Sequence, residues 1–100
     1  MYSAVRTEEV EVITAFSTDG RIAAFDLHLL EDTRGALPPY DAVLMVSPGL
    51  RERNPDAWQA LAALDNAISL EAMRSANQLV DLEGGTVIDA AQQLARQREN

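Results

Sequence analysis

The 100-residue chain reads as an α+β protein, about three strands followed by three helices. Two observations carry that expectation. Up to Val46 the apolar residues come in short runs dense in β-branched side chains, which suit a pleated, half-buried surface. From Ser47 onward the apolar spacing turns helical, and capping residues stand ahead of each stripe.

In chain order, residues 1–7 are expected to form a short helix. Val10-Glu11-Val12-Ile13-Thr14-Ala15-Phe16 then reads as the first strand, broken by Asp19-Gly20. Leu27-His28-Leu29-Leu30 is a second short apolar run, closed by the polar stretch Glu31-Asp32-Thr33-Arg34-Gly35. Ala42-Val43-Leu44-Met45-Val46 is apolar at every position, the pattern of a strand covered on both faces. Before it, Pro38 and Pro39 impose an extended approach to Tyr40, since each ring locks its own φ and biases its predecessor away from helix. Ser47-Pro48 starts a short turn, and Asn54-Pro55 is a cap followed by proline at the first helical position. Trp58, Leu61, Ala62 and Leu64-Asp65 then approximate the i, i+3, i+4, i+7 spacing of a buried stripe. Ser69 caps a second helix bearing Ala72, Met73 and Ala76. Gly84-Gly85 ends it, and Thr86 caps a third with Ile88, Ala91, Leu94 and Ala95 as its apolar side. No repeat or low-complexity segment interrupts the pattern, and this length supports one core, so residues 1–100 are expected to be a single domain.

Composition removes several function classes. Sixteen acidic residues face eight basic ones, a net charge of −8, and every basic residue is an arginine. With no lysine and no basic cluster, nothing is set up to neutralise a phosphate backbone, so nucleic acid is not an expected partner. Without cysteine there is neither a disulfide nor a thiolate site. No apolar run approaches the ~18 residues that cross a bilayer. His28 is the one histidine and sits between leucines, so neither a nucleophile triad nor a histidine metal site assembles around it. Glu8-Glu9-Glu11 and Glu31-Asp32 lack the ligand spacing of a cation-binding loop. The expectation is therefore no enzyme, no catalytic residue, no metal and no cofactor.

What remains is a pair of short blocks, Phe16-Ser17-Thr18-Asp19-Gly20-Arg21-Ile22 and Pro38-Pro39-Tyr40-Asp41-Ala42. Each places an aromatic ring beside a chain reversal. The negative face of a ring attracts an ammonium by roughly 0.5–2 kcal/mol, depending on desolvation. A quaternary ammonium gains most from this, because it donates no hydrogen bond and wears its charge on an apolar shell. The plain alternative is a core phenylalanine and a turn tyrosine. Ser17, Thr18 and Asp19 can hydrogen-bond the backbone of their own turn, and Arg21 can pair with Asp19, Asp41 or Glu31.

These blocks extend into a longer pattern: Val12 through Ile22 in order, Leu29-Leu30-Glu31-Asp32, Pro38 through Ala42, Arg53-Asn54-Pro55, the Leu61 to Leu64 helix, Ile68-Ser69, Glu71-Ala72-Met73-Arg74, Asn77 and Val80-Asp81. The pattern resembles the C-terminal portion of the substrate-binding proteins of osmoprotectant ABC transporters, which take up glycine betaine, choline, carnitine and proline betaine. The resemblance implies a fragment of a two-lobed periplasmic-binding-protein type II α/β fold. It also implies an aromatic cage lined by Phe16 and Tyr40, with Ser17, Thr18, Asp19, Arg21 and Asp41 in support. Further implications are a quaternary-amine ligand, a permease partner in the membrane and an extracytoplasmic location. Met1-Tyr2-Ser3-Ala4-Val5 resembles an internal helix of the family, which implies a segment of a longer polypeptide. Three positions depart from the family pattern. Phe16 stands where tyrosine is usual and loses a hydroxyl, Ala36-Leu37 stands where aromatics usually precede the prolines, and Gln78 stands where a tyrosine commonly follows the asparagine. The alternative from another class is a free-standing α+β interaction module that self-associates through exposed strand edges.

Overall fold

A computed structural model describes residues 1–98, and six helices occur among them. They are α1 (Tyr2–Arg6), α2 (Gly20–Ala24), α3 (Leu50–Arg53), α4 (Pro55–Ala62), α5 (Leu70–Asp81) and α6 (Val87–Arg98). The chain divides into two compact units: Met1–Leu29 together with the residues from Ile68 onward, and Leu30–Ala67.

In the first unit α5 is central, with α2 packed on it and α6 packed on it. Each of the three helices contributes one buried apolar residue: Ile22 (4% exposed), Ala76 (2%) and Ala90 (8%). Two of the three are alanine, so the helices approach on short side chains. α1 joins through Tyr2, whose ring meets Phe25 edge to face with centroids 6.5 Å apart. The helix starts follow capping chemistry. The Asp19 carboxylate accepts from Arg21 N at 2.9 Å, and Ser69 Oγ accepts from Ala72 N at 3.1 Å. At α6 the exchange is reciprocal: Thr86 N and Thr86 Oγ donate to Asp89 Oδ2 at 2.8 and 2.6 Å, and Asp89 N donates to Thr86 Oγ at 3.2 Å.

In the second unit α3 packs on α4. Asn54 Oδ1 accepts from Ala57 N at 3.1 Å and Pro55 occupies the first turn, as the Asn-Pro pair led one to expect. The Arg53 guanidinium ties the preceding turn, donating to Pro48 O at 2.8 Å and Ser47 Oγ at 3.0 Å. No residue of this unit is buried.

Four expectations are corrected. Three strands followed by three helices is wrong: among the described residues no strand forms. The runs 10–16, 27–30 and 42–46 carry strand composition, but a strand exists only when a neighbour accepts its backbone hydrogen bonds, and none of the three finds such a neighbour. The continuous apolar run at 42–46 is accordingly exposed, Met45 at 92%. Second, the stripe on α4 is not a core, since Trp58 and Leu61 are half-buried and Leu64 is exposed. Third, α6 turns Ala90 inward with Leu94 half-buried, leaving Ile88 and Ala91 exposed, a different register from the expected one. Last, α2 and α3 lie where the sequence suggested only turns. Helices of five and four residues are too short to show a period.

Candidate functional site

The turn after Phe16 is the most tightly determined feature of the first unit. Asp19 N donates to Phe16 O at 3.0 Å and closes a reversal. The next two carbonyls are held by α5: Arg74 Nε donates to Ser17 O at 2.6 Å and Asn77 Nδ2 to Thr18 O at 2.7 Å. Gly20 then lies against the α5 backbone so closely that a Cβ built on it would come 2.4 Å from Gln78 N. Only glycine fits there. Arg21 completes the contact by pairing with Asp81 at 3.0 Å, and with Asp19 at 3.5 Å. Arg74, Asn77, Gln78 and Asp81 stand at i, i+3, i+4 and i+7, one face of the helix.

A small polar cluster sits behind this turn. The Arg21 guanidinium lies 5.5 Å from the centre of the Tyr2 ring, and that of Arg6 lies 5.2 Å from the Phe25 ring. The Tyr2 hydroxyl is buried without a hydrogen bond of ordinary length and angle. Burial first, and then the neighbouring Asp19 carboxylate, push its pKa up to about 12. Arg74 Nη2 is likewise buried without a hydrogen-bond partner.

Each residue singled out in the sequence can now be placed. Phe16 ends the irregular 10–16 segment and is 63% exposed, which sets aside the core reading of that ring. Ser17 and Thr18 act through their backbone carbonyls, and Asp19 caps α2, so the block 17–19 has structural work of its own. Arg21 pairs with one of the three carboxylates considered for it, Asp19, and with Asp81, which was not considered. Tyr40 and Asp41 belong to the second unit and both are exposed, Tyr40 at 82%. In the same unit the Arg51 guanidinium lies 6.0 Å from the Trp58 ring centre, and Asp32 accepts from Leu37 N at 2.7 Å and Arg34 N at 3.3 Å, closing the turn ahead of the prolines. Those backbone donors, Leu37 foremost, hold the Asp32 carboxyl below the usual range. Among the described residues no group of three or more histidine, cysteine or acidic side chains is arranged to hold a metal ion, and no helix is long and apolar enough to cross a membrane.

Sequence reasoning missed the receptor side of the turn, namely Arg74, Asn77, Gln78 and Asp81, together with Tyr2. The signal was present as a polar stripe at helical spacing along α5, whose residues were read as part of the family pattern but were given no role in holding the turn.

Comparison with known proteins adds three findings. Residues 1–97 match the model of a family described as the substrate-binding domain of ABC-type glycine betaine transport systems. The chain is similar to the carnitine transport binding protein OpuCC of Listeria monocytogenes serotype 1/2a (strain 10403S), 32% identical over 81 residues, which is 81% of this chain and 26% of that protein. It is also similar to the ergothioneine transport permease/ergothioneine binding protein EgtU of Helicobacter pylori (strain G27), 28% identical over 81% of this chain and 15% of that protein. The chain thus spans about a quarter or less of the length of these relatives. No solved structure matches it.

Proposed function

The chain belongs to the family of substrate-binding domains of ABC-type glycine betaine transport systems, and from that premise we propose that it is the C-terminal segment of one solute-binding domain serving an importer for quaternary amines. The observation that carries this reading is the family match over residues 1–97, which takes in both aromatic blocks in order. The relatives support the ligand class. Glycine betaine, carnitine and ergothioneine, the compounds in the family description and the two relatives' names, are all trimethylammonium carboxylates. A methylated nitrogen is recognised best by ring faces, and Phe16 and Tyr40 are the residues proposed to supply them. Ser17, Thr18, Asp19, Arg21 and Asp41 serve as supports rather than walls. No covalent step is involved. The domain captures solute outside the cytoplasm and delivers it to a membrane permease.

The reading is tested by calorimetric titration of glycine betaine, carnitine and choline into the 100-residue chain and into the longest reading frame that contains it. Weak or no heat is expected from the former and saturable binding from the latter. In the longer form Tyr40→Leu is expected to cost on the order of 1 kcal/mol or more in affinity. Unaltered affinity in that variant would remove Tyr40 from the ligand wall.

A further inference from the structure

We propose that the polar face of α5 made by Arg74, Asn77, Gln78 and Asp81 is a positioning device for the Phe16 ring. The ring itself is largely exposed. The backbone that carries it is held by named donors. The Phe16 carbonyl is committed to Asp19 N, and the two following carbonyls are committed to donors that lie 57 and 59 residues further along the chain. Holding the carbonyls of residues 16, 17 and 18 orients three consecutive peptide planes, the first of which starts at the Phe16 Cα and so restricts ψ there. Gly20 against Gln78 and Arg21 against Asp81 extend the same contact one helical turn further, so residues 17, 18, 20 and 21 are read in order by 74, 77, 78 and 81.

The helix is well suited to this. Ser69 caps it, Ala76 buries its opposite side, and α6 packs against it, with Gln93 Nε2 reaching Ser75 Oγ at 2.9 Å. A wall residue on a pinned backbone loses less freedom when a ligand arrives, which is how pre-organisation raises affinity without adding a contact. For its functional meaning the inference rests on the reading of Phe16 as a ligand wall; the positioning itself stands on the contacts alone.

Two phenylalanines in the chain make the test direct. With 4-fluorophenylalanine incorporated, the 100-residue chain gives one fluorine resonance from Phe16 and one from Phe25, the latter seated against Tyr2 and Arg6. Asn77→Asp, which removes the donor to Thr18 O, is expected to shift or broaden the Phe16 resonance while Phe25 and the far-UV circular dichroism stay as they were. Arg74→Lys, which keeps the charge but withdraws Nε, is expected to do the same, and provides the test if Asn77→Asp does not fold. A Phe16 resonance untouched by a folded variant overturns the proposal. In the longer reading frame Asn77→Asp is expected to weaken glycine betaine several-fold, and to have no further effect once Phe16→Leu is in place, because the coupling runs through the ring. A moved Phe16 signal with unchanged affinity upholds the positioning and counts against the ligand-wall reading.

Discussion

Single residues divide into those whose chemistry is settled by their neighbours in sequence and those settled by a distant partner. Asp19 is of the first kind: a carboxylate before a glycine caps the next turn whatever surrounds it. Gly20 is of the second. Its neighbours suggest the break after a strand, whereas its actual constraint is the Gln78 backbone pressed against it. Gly20→Ala is therefore expected to destabilise the first unit by about 1–3 kcal/mol through forced displacement of the turn, measured by urea unfolding followed by circular dichroism. Tyr2 gives a pH signature. Its pKa is raised in the folded state to about 12 from an ordinary value near 10. The folded chain thus holds its proton more tightly, and the stability this supplies is complete below about pH 10 and drains away as pH rises toward 12. With no lysine in the chain, few other groups titrate in that window. Tyr2→Phe should flatten the alkaline loss of helical signal, and an unchanged profile would show that burial of the hydroxyl does not drive it.

At the scale of elements, the caps were legible and the faces were not. Asn54-Pro55, Ser69 and Thr86 each begin a helix as their chemistry requires. Ser69→Ala is expected to cost about 1 kcal/mol of unit stability, read as a lowered urea midpoint with unchanged slope. The Asp89 carboxyl is held below its ordinary range by the Thr86 hydroxyl and then the Thr86 amide. A lowered carboxylate pKa supplies stability at neutral pH that is lost as pH falls through the depressed value. The start of α6 should therefore fray in acid below about pH 4, and Asp89→Ala should show that fraying at neutral pH by amide exchange. The register of α6 escaped the sequence because Ala90, Ala91, Leu94 and Ala95 offer two nearly equal apolar sides. Which one turns inward is decided by packing against α5.

At the scale of the whole chain, Ile22, Ala76 and Ala90 are the buried apolar residues among those described, while Val12, Phe16, Leu37, Tyr40, Val43, Leu44 and Met45 stand exposed. The chain covers about a quarter or less of its relatives' length. The isolated 100 residues should bind a hydrophobic dye strongly, and the longest reading frame containing them should bind far less per mole; equal binding would show that these runs stay uncovered. By itself the sequence determined the family, the starts of α4, α5 and α6, and the two aromatic blocks, because these rest on local capping chemistry and on a collinear order of residues. Only tertiary structure decided that the apolar runs are not strands, that Gly20 is a packing contact rather than the break after a strand, and that α5 grips the turn after Phe16. The reason is common to all three: the deciding partner, or the lack of one, lies elsewhere in the chain, and the residues around either end do not say which partner that is.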